Sequence, residues 1–382
     1  MNLFRDPLYP DLYPSTFRRR LHRFAVECDL DGRTVTAHLP NPGRLWELLL
    51  PGRTVLLAPA DKPGRALAWT AVAVVRDGAT VLLHTTLANR VVEFLIGAGR
   101  IPGLEDASVA RREATVGDSR LDFILRRGEE EILLEVKSCT LFGNDLAMFP
   151  DAVTERGRRH LLNLAAHARP GRRCGVVWLV QWPRARRFLP DYHTDPAFAE
   201  TFLEMKDRLF YLPVAVSWTE DLRLEDNVRV LPVPWDLLRR ESRDRGAYLI
   251  LCRLDAVRSV EVGSLGRIDF PAGTWCYVGS ARKDLSRRIA RHLRLRKTLH
   301  WHIDYLRATA DACTALPIRT ADDLEHELAR ALAKIAEFSI PRFGSSDCTC
   351  AGHLFGWRGD PRRDPSFIAL LQHFRMDRLP PD

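Results

Sequence analysis

SRLDFILRRGEEEILLEVKSCTL, residues 119–141, reads as two β-strands joined at a tight turn over Gly128 and Glu129. Apolar and charged residues alternate on both sides of the turn, the period of strands that bury one face. With those two residues as the loop, Asp122 and Glu135 each stand six positions from it and meet across the hairpin. Lys137 follows Glu135 by two and shares its face. Leu121, Phe123, Leu134 and Val136 point the other way and anchor the hairpin in a core. One sheet face is thus predicted to carry two carboxylates and an ammonium, a costly grouping unless a metal or a reaction compensates it. Paired carboxylates suit Mg²⁺ or Mn²⁺, oxygen-seeking ions that retain several waters. A lysine beside them can orient the attacking water or stabilise charge building on a phosphate. The plain alternative is an exposed hairpin with ordinary cross-strand ion pairs.

Upstream, residues 18–86 run in short alternating segments, RTVTAHL, GRTVLLAP, AWTAVAVV and TVLLHTT, broken by glycine and proline. They predict a small all-β unit over residues 1–88, a barrel of the OB type. Asp77-Gly78 between two apolar runs suits a type I′ turn, whose two central residues need positive φ. Over residues 89–236 strands and helices alternate: a helix near 89–97, the hairpin, a helix near 153–168, a buried strand at 174–181 and a helix near 196–208. PVPWDLLRRESRDRG, 232–246, reads as a charged linker. A further α/β region, 245–357, holds the strand-like GAYLILC and GTWCYVG, a basic segment at 280–297 and a helix near 322–337. Residues 358–382 are expected to form a tail. The fold class is multidomain α/β.

The chain has 57 basic against 49 acidic residues, a net charge of +8, which favours a polyanionic partner, DNA first and RNA second. FRRRLHRF, 17–24, interleaves Arg18, Arg19, Arg20 and Arg23 with phenylalanine, a pattern for backbone contact and base stacking or simply an amphipathic entry strand. Arg156, Arg159 and His160 stand at helical spacing in FPDAVTERGRRHLLNL and are read as further nucleic-acid contacts. Eight scattered cysteines, several inside apolar runs, suit reduced thiols rather than a disulfide framework. No apolar run approaches a membrane span, and MNLFRDPLYPDLYP lacks the apolar core of a secretory signal. A cytoplasmic protein without membrane association is expected.

RRLHRFAVECD, PNPGRLWELLLPG, SRLDF, LEVKSCTL and FPDAVTERGRRHLLNL resemble, in that order, the sugar fermentation stimulation protein family over roughly residues 15–235. The resemblance implies an OB-like N-terminal domain, a core like the PD-(D/E)XK nucleases, and DNA binding. It places Asp122, Glu135 and Lys137 on the nuclease motif and Glu113 in the position of an auxiliary acidic residue. It leaves two readings, a divalent-metal phosphodiesterase or a non-catalytic DNA-binding regulator of sugar-utilisation genes.

GAYLILC and GTWCYVG each place a tyrosine near a glycine, Tyr248 and Tyr277, ahead of eight Lys/Arg in residues 280–297. Read as one helix, that segment sets Arg287, Arg288, Arg291, Arg294 and Lys297 on a broad phosphate-contacting face, with His292 one turn beyond Arg288. Tyrosine, arginine and histidine around a phosphodiester can move protons and stabilise charge, and Glu325 or Glu327 can hold one divalent ion. The order of these residues resembles the GIY-YIG nuclease superfamily over about 245–357, and FGSSDCTCAGHLF resembles the ending of an uncharacterised branch. GIY here is GAY, YIG is YVG, 28 residues separate the tyrosines, and a late asparagine is missing. The alternative is a solvated basic helix on a sheet whose tyrosines are core residues. Cys348, Cys350 and His353 form C-x-C-x2-H with Asp347 as a fourth donor in reach; with one residue between the cysteines and no second CxxC, zinc is not expected and a reduced structural loop is.

Overall fold

The computed structural model describes residues 4, 6–60, 66–117, 119–345 and 348–380. Two units divide the chain, Met1–Trp235 and Asp236–Asp382. In the first, β1 (Tyr13–His22), β2 (Ala25–Leu30), β3 (Arg33–His38), β4 (Thr54–Pro59), β5 (Trp69–Arg76) and β6 (Ala79–Leu82) form a sheet ordered β3-β2-β1-β4-β5-β6. A parallel pairing of β3 with β5, Ala37 with Trp69 and His38 with Thr70, closes five of them into the expected barrel. Asp77 and Gly78 turn β5 into β6 at φ values of 49° and 77°, the I′ conformation that the dipeptide predicts.

After α1 (Ala88–Gly97) comes the layer that carries the site. Its strands are β7 (Ser108–Val116), β8 (Ser119–Arg127) and β9 (Glu130–Cys139). Two short strands, β10 (Leu141–Phe142) and β11 (Leu146–Phe149), precede α2 (Glu155–His167) and β12 (Arg172–Val180). The unit ends with β13 (Arg187–Pro190), α3 (Pro196–Glu204), β14 (Phe210–Ala215) and β15 (Arg229–Val230). The main sheet runs β15-β14-β12-β9-β8-β7, and β10, β11 and β13 make a separate small one. Between β8 and β9 the pairing runs from Arg127 with Glu130 to Phe123 with Leu134. The paired register ends there, one step short of the predicted Asp122–Glu135 rung, and Asp122 instead meets β9 through its side chain, whose Oδ2 accepts from the Val136 N–H. Phe123, Leu125, Ile132, Leu134 and Val136 pack with Val91, Val92, Leu95 and Ile96 of α1 in one apolar cluster, which fixes the plane of the hairpin.

The second unit begins with α4 (Trp235–Glu241), a helix where the sequence suggests only a linker. Its sheet takes β16 (Gly246–Leu254) and, after the ribbon β17 (Arg258–Glu261) and β18 (Arg267–Phe270), β19 (Gly273–Ala281). β16 and β19 are adjacent and antiparallel, with Ile250 opposite Tyr277 and Tyr248 opposite Gly279. The ribbon absorbs the long spacing between the tyrosines without displacing them. Gly279 is required because a Cβ there would lie 2.4 Å from the Tyr248 hydroxyl. There follow α5 (Leu285–Leu293), α6 (His302–Thr309), β20 (Ala312–Arg319), α7 (Glu325–Ala333), β21 (Phe338–Ile340), β22 (Leu354–Trp357) and α8 (Pro365–Gln372). The sheet order is β20-β16-β19-β22-β21.

Two sequence expectations change here. The basic helix ends at Leu293, because Arg294 is extended (φ −65°, ψ 138°), so the single face from Arg287 to Lys297 does not exist. Lys297 folds back and donates to the carbonyls of Arg291 (3.2 Å) and His292 (2.8 Å). The expected tail is instead part of the unit: Asp364 caps α8 with Pro365 in its first turn, and Phe367, Ile368, Leu371 and Phe374 are buried. Arg375 donates to the Pro317 carbonyl on β20. The fully buried Phe367 lies edge-on to Trp357, so Phe367→Ala is expected to cost about 3–5 kcal/mol in denaturant unfolding of the second unit. A loss below about 0.5 kcal/mol, the range of surface substitutions, would contradict the docked terminus.

Candidate functional site

Glu135 sits in the middle of the main sheet, between β8 and β12, and is only 3% exposed. Burying a carboxylate costs several kcal/mol unless charge and hydrogen bonds replace the lost water. Two residues supply them. Lys137 Nζ, from the same face of β9, donates to Oε1, and His160 Nδ1, from α2, is 2.6 Å from the same oxygen. Arg156 Nε donates to His160 Nε2 at 3.3 Å, which leaves Nδ1 as the protonated nitrogen of a neutral ring and makes it the donor to Glu135. His160, read from sequence as a phosphate contact, is therefore a partner of the carboxylate.

Asp122 faces Glu135 from β8. Its Oδ1 accepts from Asn89 Nδ2 at 2.7 Å and its Oδ2 from the Val136 N–H at 2.8 Å. The two carboxyls are driven apart in acidity. Burial, then the negative charge of Glu135, raises Asp122 above the usual aspartate value against those hydrogen bonds. Burial also works to raise Glu135, but His160 and the Lys137 charge outweigh it and hold the group below its usual value. Glu135 Oε2 is buried and accepts no hydrogen bond. An oxygen in that state beside a second carboxylate fits a hard divalent cation such as Mg²⁺ or Mn²⁺, which would draw on Glu135 Oε2 and Asp122.

A cleft of about 240 Å³ opens beside this pair, lined by Asn89, Lys137 and Ser138 on one side and by Asn41, Gly43 and Asp151 on the other. The barrel loop 41–44 is held by Asp151, whose Oδ2 accepts from the Arg44 N–H at 2.6 Å and the Leu45 N–H at 3.4 Å. Only glycine fits at position 43, where a Cβ would be 2.4 Å from that oxygen. Asn89, Asn41 and Asp151 were not singled out from sequence. Asn89 opens the predicted α1 and Asp151 lies in a quoted motif, but nothing in spacing alone connects either to the hairpin.

The remaining predicted contacts disperse. Arg20 donates to the carbonyls of His22, Arg23, Asn41, Gly43 and Arg44, and Arg23 to that of Pro42, so both clamp the cleft loop instead of facing phosphate. Arg18 pairs with Asp29 at 2.6 Å and Arg19 with Glu27 at 2.5 Å, which offsets their charge. Glu113 lies on β7 beside Asp122 in the sheet, between the rungs Arg112–Phe123 and Ala114–Leu121. Its φ is 49° and its exposed carboxylate pairs with Arg120. Arg156 and Arg159 are exposed on α2.

In the second unit, the Tyr248 hydroxyl is 2.9 Å from His292 Nε2, and the Tyr277 and His292 ring centroids are 6.1 Å apart. Burial lowers His292 to about 4, so the ring is neutral at physiological pH. Burial opposes the charge of Asp304 too, but the Lys297 ammonium, 2.7 Å away, and the His300 and Trp301 N–H groups bring it down to about 2. Tyr248 is 2% exposed and His292 1%, both enclosed in the core of the unit with Tyr277. Of the four predicted catalytic residues here only Arg288 is exposed, donating to the Ser280 carbonyl at 3.2 Å. Glu325 accepts from Ser280 Oγ, and His353 Nδ1 approaches its other oxygen to 3.2 Å without hydrogen-bond geometry. Arg287 and Arg294 are exposed, whereas Arg291 binds Asp304 and stacks on Trp301.

Family models match three segments. The sugar fermentation stimulation protein RE domain covers residues 86–221, the SfsA N-terminal OB domain 19–83, and the domain of unknown function DUF123, which is GIY-YIG-like, 247–376. A sugar fermentation stimulation protein homolog from Chloroflexus aurantiacus is 44% identical over 195 residues, 51% of this chain and 75% of the relative. One from Methanobrevibacter smithii is 37% identical over 207 residues, 52% of this chain and 87% of the relative. The solved structure of Pyrococcus furiosus SfsA in complex with Ca²⁺ superposes with a TM-score of 0.54 at 29% identity, covering 61% of this chain and 99% of that one.

The raised Asp122 value has a thermodynamic consequence. A carboxyl whose folded value lies above its unfolded one favours the folded state in acid and weighs against it once pH rises through the folded value. Asp122→Asn removes that penalty, and Asn89 can rotate its amide to preserve the contact. Metal-free Asp122→Asn is expected to melt above the parent at neutral pH, roughly 2–4 °C for each kcal/mol, with the gap narrowing in acid. Thermal melts across pH check this; a variant melting below the parent throughout would contradict it.

Proposed function

The chain belongs to the sugar fermentation stimulation protein family, and from that premise we propose that its first unit binds DNA and hydrolyses a phosphodiester with a divalent metal held by Asp122 and Glu135. The observation that carries this reading is the buried Glu135 Oε2, without a hydrogen-bond partner and beside a second carboxylate. That Pyrococcus furiosus SfsA was solved with Ca²⁺ supports an oxygen-lined cation site in the family. Mg²⁺ or Mn²⁺ there would supply Lewis-acid polarisation of the phosphate and an acidified water.

The protein's own groups divide the remaining work. His160 fixes the Glu135 carboxylate through Oε1, which leaves Oε2 free of hydrogen bonds to act, with Asp122, as a ligand to the metal. Lys137 keeps its ammonium at the cleft and can stabilise negative charge on a phosphate oxygen. Loop 41–44 forms the opposite wall and, clamped by Arg20 and Asp151, limits how the backbone of a nucleic acid can approach. The enclosed tyrosine cluster of the second unit supports a binding role there, with exposed Arg287, Arg288 and Arg294 as the phosphate contacts. RNA is the second candidate partner on the same chemistry.

Supercoiled plasmid and Mn²⁺ or Mg²⁺ provide the test. Asp122→Ala and Glu135→Ala are expected to abolish nicking, and His160→Ala to lower it by about 10–100-fold, the usual loss when the partner of a metal-binding carboxylate or histidine is removed. Nicking unchanged in both carboxylate variants would remove this site from the reaction. DNA retention with the salt dependence of several phosphate contacts, but no cleavage by the parent under any divalent ion, would leave the non-cleaving regulator as the function.

A further inference from the structure

His326, Cys348, Cys350 and His353 come together in the second unit, on residues other than those of the tyrosine–histidine contact and independent of the function proposed for the first. One ligand atom from each lies within 4.8 Å of every other. Cys348 Sγ is 3.5 Å from His353 Nε2, and Cys350 Sγ is 3.4 Å from His326 Nδ1. A tetrahedral zinc with bonds of about 2.3 Å to sulfur and about 2.1 Å to nitrogen keeps such atoms roughly 3.5 Å apart. Both sulfur–nitrogen pairs already stand at that separation.

The sequence offers three donors and a spacing that argues against zinc; the fold adds the fourth. His326 arrives from the first turn of α7, and Asp347, the fourth donor considered from sequence, lies outside the described residues. The cysteine loop is folded back by backbone bonds from Arg342 N–H to the Ala351 carbonyl (2.7 Å) and from His353 N–H to that of Phe343 (2.8 Å). Gly352 permits this closure, since a Cβ would lie 2.4 Å from the Ile340 carbonyl. His353 is 1% exposed, and its other ring nitrogen faces Glu325 at 3.2 Å. A carboxylate on the far nitrogen is the arrangement that fixes the tautomer and aim of a metal-binding histidine.

We propose that these four residues hold a structural zinc ion, His353 through Nε2 and His326 through Nδ1, with Glu325 orienting His353. Two thiolates and two imidazoles select zinc over Mg²⁺ or Mn²⁺, and four protein ligands leave no open coordination position for chemistry. Binding releases the two thiol protons to solvent. Glu325, read from sequence as the carboxylate of a divalent ion in the tyrosine site, is then occupied in supporting the zinc through His353 while it accepts from Ser280 Oγ.

The full chain, purified without chelator, is expected to carry one zinc by elemental analysis. Exchange of zinc for Co²⁺ should produce the intense visible bands and thiolate charge-transfer absorption of a tetrahedral S₂N₂ site in the parent protein. Cys350→Ser and His326→Asn should each lose the bound metal, while Asp122→Asn keeps it, which separates this centre from the one in the first unit. The cobalt spectrum needs no variant, so a variant that fails to fold does not remove the test. A weak octahedral spectrum, absence of both metals from the parent, or full retention in folded Cys350→Ser and His326→Asn would overturn the proposal.

Discussion

The first unit is organised around one buried negative charge. Glu135 lies inside a sheet flanked on both edges by other strands, and its ionisation has to be sustained by groups delivered to it. One comes from two residues along the same strand and the other from a helix across the sheet. With Oε1 shared by Lys137 and His160, Oε2 is left buried and unsatisfied. A carboxylate of this kind is poorly explained as a contribution to stability, because an apolar residue in its place would cost less. It is well explained as a ligand kept in a fixed position, with Asp122 held opposite by a backbone N–H and an amide.

The cleft depends on the barrel as much as on the sheet. Arg76, buried at the end of β5, donates to the Phe142 carbonyl at 2.7 Å and stacks on Phe142 and Trp182. Arg20 gathers the carbonyls of loop 41–44, and Asp151, between β11 and α2, receives that loop from the other side. Both arginines satisfy oxygens that loop backbones leave unpaired, which is the condition for a loop to hold one shape against a site. Arg20 and Arg76 are thus spent on the protein's own carbonyls, and the surface offered to a polyanion is smaller than the sequence count implies.

How far the sequence could be read follows from the range of each interaction. The hairpin register was legible because a turn of two residues fixes the rungs that follow, and the nearness of Asp122 to Glu135 came with it, although the pairing stops one step short of them. The Arg156–His160 pair was legible as a helical neighbour relation, but not the carboxylate that His160 reaches on another element. Arg20 looked like a phosphate contact because a guanidinium recognises carbonyl and phosphate oxygens alike, and only the loop's path distinguishes them. The ribbon between the tyrosines, the docked C-terminal helix and the arrival of His326 beside two cysteines are long-range outcomes of topology. Local pattern records which face is buried, not which distant segment buries it.

The parallel pairing of β9 with β12 also sets an order of assembly. Glu135 is synthesised well before His160 and before the strand that covers its other edge. While only the hairpin has formed, Glu135 lacks both its His160 partner and its β12 neighbours. The centre acquires its shape when α2 crosses over and β12 closes alongside. A nascent chain therefore cannot hold Glu135 in its folded surroundings until β12 has been made, some forty residues after the hairpin that carries it.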